Sequence, residues 1–318
     1  MSYPKPIPLP QMNTREKSFD QFYLQISTTL EAVEALRKQI ARRIIQLRWG
    51  VFITLLLLVI ATVVFPNFLL LFGLAWALVY FVTRKYYVLE NISRVYVPKF
   101  KQEVIFPMLD YFYEDAVYIP NQRMNRNVLN KSLLFHHYVY RHHGEDYFSC
   151  RIGNTTVSSS EIQNDSSEFF DGVFIAVRFN KKFKTKTIVL PRQRDSLFRK
   201  LKLNVYGDMV NATYVELENP LFKRDFVVIA EDQVESRYKL TPGLMDRMLK
   251  YKKRFDDTVS FSFVDNYLYV AIQSRFDFFE PPVFKPVNRY EFVRKNYQYF
   301  QVLTGIVEDL DLNTRIWA

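Results

Sequence analysis

The chain has 318 residues, 24% charged and 49% apolar, with a formal net charge of +10. That apolar share suffices for one large or two smaller cores and excludes a disordered chain. A single cysteine excludes an intramolecular disulfide framework and fits a reducing compartment or a cysteine-poor proteome equally well. The eight glycines never lie closer than nine positions apart, which excludes a Walker A loop and a dinucleotide fingerprint.

Residues 1–15 carry proline at every second position from Pro4 to Pro10, so an extended, disordered arm is expected. Without an apolar core it is no signal peptide. Over 16–48 the apolar residues Phe19, Phe22, Ile26, Val33, Leu36 and Ile40 follow three-four spacing. This predicts one long amphipathic helix, which either packs on its own chain or forms a coiled coil with a second copy.

From Trp49 to Thr83, thirty-five residues pass without a charged side chain. One straight helix of that length would reach about 50 Å, against a hydrocarbon core of about 30 Å. Pro66-Asn67 interrupts it midway, so a transmembrane hairpin over 49–83 is predicted, with arms at 49–65 and 68–83. A re-entrant hairpin in one leaflet is the alternative. Arg48 and Arg84 can snorkel, and Trp49 and Tyr80 can sit at headgroup level. Arg37, Lys38, Arg42, Arg43 and Arg48 precede the hairpin and Arg84 and Lys85 follow it, which places both termini in the cytoplasm.

Residues 84–94 read as a juxtamembrane linker and 95–318 as a cytoplasmic α+β domain. A helix is expected over 95–113. Strands are expected at 146–152, 154–162, 172–179, 185–190, 224–230 and 258–273, the last with a hairpin turn at Val264-Asp265-Asn266. Helices are expected at 241–254, opened by Thr241-Pro242, and at 288–310. Consecutive strands with helices grouped around them favour a mainly antiparallel sheet over a doubly wound fold.

The stretch FHHYVYRHHGEDYFSC (135–150) holds all four histidines, 136, 137, 142 and 143, and the cysteine. Adjacent strand residues face opposite ways, so each histidine pair offers one inward ligand, and no metal site is assigned. Cys150 sits in strand-like surroundings and reads as a small packed residue. Ser158-Ser159-Ser160 lacks the glycines of a nucleophile elbow. No catalytic motif or cofactor site emerges, and a non-enzymatic protein is expected. A cleft collecting Glu145, Glu161, Glu231, Asp232 and Glu235 would be the enzymatic alternative.

Ten basic residues, Arg178, Lys181, Lys182, Lys184, Lys186, Arg192, Arg194, Arg199, Lys200 and Lys202, share a window with the single acid Asp195. Beneath a membrane such a window could face anionic headgroups; a solvated basic face or an acidic partner reads as well. The window's aromatics do not interleave with the lysines in the pattern expected for base stacking, which weighs against nucleic acid. In Glu231-Asp232-Gln233-Val234-Glu235-Ser236-Arg237-Tyr238, Glu235 and Arg237 are expected to be partly buried and paired, or else to form a recognition pair.

Several segments together resemble a bacterial, membrane-anchored domain-of-unknown-function family, DUF3137, sometimes mislabelled galanin-like. They are GEDY (144–147), SSSEI (158–162), FDGVFIAVRFNKKFKTKTIVLP (170–191), VELENPLFKRDFVVIAEDQVESRYKLTPGLMDRML (215–249), VSFSFVDNYLYVAI (259–272), FEPPVF (279–284) and LNTRIW (312–317). The resemblance implies a membrane-anchored cytoplasmic domain without established activity, cofactor or catalytic residues. The expectation is therefore an inner-membrane protein whose cytoplasmic domain binds an unknown protein partner or assembles as a homo-oligomer, with anionic lipid binding through the basic window as the alternative.

Overall fold

The computed structural model describes residues 15–64, 69–83, 92–135, 138–163, 170–179, 182–192, 212–254, 258–273 and 279–310. The proline-rich arm up to residue 14, the Pro66-Asn67 turn, most of the 84–94 linker and the LNTRIW segment lie outside them. The chain divides into two compact units. One holds Thr14–Met108 with Phe279–Tyr297, and the other holds Leu109–Phe278 with the chain from Gln298 onward.

The first unit is helical. Helix α1 (Arg15–Gln25) leads into α2 (Ser27–Val64), which runs without a break past residue 48 into the apolar stretch. The single break, at Ile26, is bridged by Ile26 N–H donating to Phe22 O (3.1 Å) and Leu30 N–H to Ile26 O (2.8 Å). Helix α3 (Leu69–Thr83) carries the second apolar arm. Residues 92–112 wind as alternating turns: a π turn (Ile92–Tyr96), α4 (Val97–Phe100), a second π turn (Lys101–Ile105) and α5 (Phe106–Phe112). Pro98 and Pro107 each remove a backbone donor here, and wider turns absorb the loss.

The amphipathic stripe of α1 and α2 is covered by residues of the same chain. Phe19, Phe22 and Val33 are 2%, 1% and 0% exposed. Phe19 stacks on Tyr297 (centroids 5.1 Å apart) and meets Tyr290 edge-on (5.3 Å), while Tyr23 donates to Asn288 O at 2.7 Å. Of the two open alternatives, the one with intramolecular cover is what the unit displays; a second copy is not needed to bury this seam. Further along α2 the pattern inverts. Trp49 is 61% and Leu57 58% exposed, and Leu74, Leu78 and Phe81 of α3 are exposed too.

The second unit is built on a nine-stranded sheet, β1 (Glu114–Ile119), β2 (Tyr147–Ile152), β3 (Thr155–Ile162), β4 (Gly172–Arg178), β5 (Thr187–Pro191), β6 (Thr213–Tyr214), β7 (Phe226–Ala230), β8 (Val259–Val264) and β9 (Tyr267–Gln273), in the order β1-β2-β3-β4-β9-β8-β5-β7-β6. Every pairing is antiparallel. The β8–β9 turn falls at Asp265-Asn266, with Asp265 at φ 53°; short polar side chains tolerate this left-handed conformation. Residues 220–225, partly expected as strand, instead form the helical turn α7 (Pro220–Asp225), because Asn219 Oδ1 accepts from Leu221 N (3.0 Å) and Phe222 N (3.1 Å) with Pro220 at the first helical position.

One core of this unit gathers Phe174, Ala176, Ile188 and Tyr269 with Met124, Leu129 and Leu134, the last three from and around α6 (Arg126–Lys131). Elsewhere Phe148 meets Phe300 edge-on at 5.3 Å, and Tyr251 of α9 (Pro242–Arg254) meets Phe261 and donates to Val302 O at 3.4 Å. Phe300 belongs to α10 (Tyr290–Thr304), followed by α11 (Ile306–Asp309). The fold is α+β: a long apolar N-terminal helix and a C-terminal antiparallel sheet with flanking helices.

Candidate functional site

The GEDY and SSSEI segments meet. Glu145 N donates to Glu161 O (3.2 Å) and Glu161 N to Glu145 O (2.9 Å), while His143 and Gln163 exchange the same pair of bonds at 3.0 and 2.9 Å. The next matched pair is Phe148 with Ser159, so Asp146 and Tyr147 together oppose Ser160 alone. This is a β-bulge, with Asp146 at φ 55° as its left-handed residue. The two amides it frees are taken up by the chain after β1: Asp146 N donates to Pro120 O (2.8 Å) and Tyr147 N to Gln122 O (3.0 Å). Tyr118 donates its hydroxyl to Asp146 Oδ1, and Ser160 Oγ accepts from Met124 N at 3.0 Å. Gly144 is dictated by space, since a Cβ there would stand 2.2 Å from Glu161 O.

The bulge brings Glu145, Asp146 and Glu161 together, one carboxylate oxygen of each within 4.8 Å of the others. Asp146 and Glu161 are buried. An all-oxygen set of this kind could hold a hard divalent cation. The sequence shows Glu145 and Glu161 as separate carboxylates; only the bulge register makes them neighbours.

The two described histidines, His142 and His143, do not converge. His142 is buried with Nε2 2.9 Å from Met124 O, and burial, its main influence, holds its pKa below 6.5. His143 is exposed in its bridge to Gln163, and His136 and His137 lie outside the described residues. Cys150 is 1% exposed and burial pushes its thiol up to about 12, which leaves no thiolate for chemistry at neutral pH.

Of the basic window, Arg178, Lys182, Lys184 and Arg192 are exposed and Lys186 is half-buried, whereas Lys181, Arg194, Arg199, Lys200 and Lys202 lie outside the described residues. The stretch before β5 is held by α8 (Gln233–Lys239), a helix that sequence reading takes for a connection. Asp232 Oδ1 caps it by accepting from Glu235 N at 2.8 Å. Glu235 Oε1 accepts from Lys184 N (3.1 Å) and Thr185 N (3.3 Å), and Glu231 Oε2 from Lys186 N (2.8 Å).

The expected Glu235–Arg237 pair is replaced. Glu235 Oε1 lies 3.1 Å from Lys239 Nζ, which also donates to Thr185 O, while the exposed Arg237 donates from Nε to Glu216 O at 3.2 Å. Helical geometry explains the exchange: residues two apart diverge by about 200°, whereas residues four apart share a face. Burial lowers the pKa of Lys239 and the bond to Glu235 opposes it. Lys239 also stands 5.4 Å from the centroid of the Phe183 ring.

These features define an α+β protein in which, among the described residues, one helix, within Ser27–Ile60, is long and apolar enough to cross a membrane, which supports membrane association. Residues 168–312 match the family described as "Protein of unknown function (DUF3137)". None of the curated proteins matches it. A crystal structure of the mycobacterial trehalose monomycolate transport factor A, TtfA, is similar over 59% of this chain and 86% of that one, at 12% identity and a TM-score of 0.31. A likeness at that level carries no argument.

Proposed function

We propose that this is a non-enzymatic bacterial inner-membrane protein, anchored by α2 and α3 as a hairpin with both termini cytoplasmic, whose sheet unit is a binding or scaffold module. The observation that carries the reading is the inversion along α2, from a stripe buried by its own chain to an apolar surface exposed all round. Trp49, Phe52, Ile53, Leu56 and Leu57 are all more than half exposed, and five such side chains in sequence would be untenable in water.

Helix α3 contacts α2, which supports the hairpin. Its 15 residues span about 22 Å, shorter than a hydrocarbon core of about 30 Å, so local thinning and snorkelling complete the crossing. Trp49, at the start of the apolar stretch, and Tyr80, three residues before the end of α3, are side chains suited to the headgroup boundary.

A second reading makes the 178–202 window a headgroup-binding surface. The exposed Arg178, Lys182 and Lys184, for which the described residues supply no ion-pair partner, favour it.

Chemical cross-linking of the full-length chain in native membranes tests the binding role. A discrete cross-linked partner or a defined homo-oligomer is expected. A monomer free of cross-links at saturating reagent would overturn the binding role.

A further inference from the structure

We propose that the exposed face of α2 over residues 35–46 is a binding site for anionic phospholipid headgroups of the bilayer that the helix enters. The inference rests on the reading that α2 crosses the membrane.

The five basic residues ahead of the apolar stretch are not equivalent. Arg37 is spent on Glu34, its guanidinium 2.7 Å from the carboxylate with both side chains buried. Arg48 lies 5.1 Å from the centroid of the Phe284 ring. Arg42 and Arg43 are exposed, and neither finds an ion-pair partner among the described residues. With Ala35, Lys38, Gln39 and Gln46 they line one open groove along the helix. Lys38 is only loosely held, 3.9 Å from Glu34 Oε1. Among the described residues the groove thus offers cations and amide donors and no carboxylate, the chemistry that receives a phosphodiester.

Position selects the bilayer as the source of that phosphate. At about 1.5 Å per residue, Gln46, Arg43 and Arg42 stand about 4, 9 and 10 Å before Trp49. The headgroup layer is about 5–7 Å thick on each side, and an arginine side chain extends the reach by about as much again. Lys38, about 16 Å out, marks the outer limit. The opposite side of the same turns, Ile40, Ala41 and Ile44, is buried by the chain itself, so lipid can approach only across the cationic face. A second copy does not fit there, because a two-fold contact would set arginine against arginine.

The test uses the full-length chain reconstituted with phosphatidylcholine alone or mixed with phosphatidylglycerol, with native mass spectrometry counting retained lipids. The wild type is expected to retain phosphatidylglycerol in excess. Arg42→Gln with Arg43→Gln should cut that excess by about fivefold per arginine, the change that about 1 kcal/mol per basic residue gives. Lys223→Gln with Lys250→Gln, exposed on the sheet unit, should leave it intact. Carbonate extraction of the same membranes separates the two readings. If the chain stays embedded and the excess is absent, survives the arginine changes or follows the lysine changes instead, the headgroup site is overturned while the anchor stands. If carbonate releases the chain, the membrane-crossing reading fails and the site fails with it.

Discussion

Arg37 grips Glu34 with two parallel bonds, Nε to Oε2 at 2.8 Å and Nη2 to Oε1 at 2.7 Å, and the pair then reaches far along the chain. Arg37 Nη1 donates to Val283 O at 2.6 Å, and Val287 N donates to Glu34 Oε2 at 3.0 Å. A helix near the N-terminus is thereby fastened to the FEPPVF region within one unit. Breaking one side leaves the other a buried, unpaired charge. Glu34→Gln or Arg37→Met should each destabilise the helical unit by about 3–5 kcal/mol, read as a lowered thermal midpoint of the detergent-solubilised full chain. The double variant should recover much of the loss. Equal midpoints for wild type and single variants would show that the pair is not fastening the unit.

Glu235→Gln should cost about 2 kcal/mol, because Lys239 is almost fully buried while Glu235 retains contact with water. Arg237→Gln, on an exposed side chain bonded only to a carbonyl, should change stability by less than about 0.5 kcal/mol. Thermal melts of the two variants side by side check this. A larger loss for Arg237→Gln than for Glu235→Gln would contradict the assignment of Lys239 as the partner.

Much of the sheet was legible in the sequence and much of the site was not. Alternation and the Val264-Asp265-Asn266 turn suffice for β8 and β9, and the uncharged run suffices for the exposed half of α2. Helix α8 is too short for periodicity to show, and its charges read as a loop until Asp232 is seen capping it. The bulge at Asp146 depends on register against β3, which no local pattern specifies, so Glu145, Asp146 and Glu161 do not appear as a cluster beforehand. The apolar stripe that predicts a helix over 288–310 does not say what Phe279–Tyr297 packs against. Its partners lie some 250 positions earlier, and only the three-dimensional fold pairs them with α1 and α2.

Gly144→Ala should destabilise the sheet unit by about 3 kcal/mol or more, since the new methyl group meets a backbone oxygen at 2.2 Å that the bulge holds in place. Loss of the cooperative melt at a temperature where wild type is folded is the expected readout. An unchanged midpoint would mean that the 143–147 segment is free to move away from β3.

His142 gives the fold a pH dependence of definite sign. Its pKa is lowered by burial, with Arg123 and His143 adding to the effect and the bond to Met124 O opposing it. The unfolded chain therefore takes up a proton near pH 6.5 while the native state does not, so stability is full above that value and falls as pH drops below it. Melts at about pH 7.5 and about pH 5.5 should show the gap between wild type and His142→Gln narrowing in acid. A gap that widens in acid would mean that the folded state favours the charged imidazole.

The membrane hairpin is tested most directly by labelling single cysteines in intact cells with a membrane-impermeant maleimide. Cys150, buried and with its thiol pushed up to about 12, contributes no background in the folded protein. Ser2→Cys and Ala318→Cys should label only after the cells are permeabilised, and Asn67→Cys should label in intact cells. Labelling of either terminus from outside, or protection of Asn67→Cys from outside together with labelling from within, would contradict a hairpin that crosses the membrane twice with both ends in the cytoplasm.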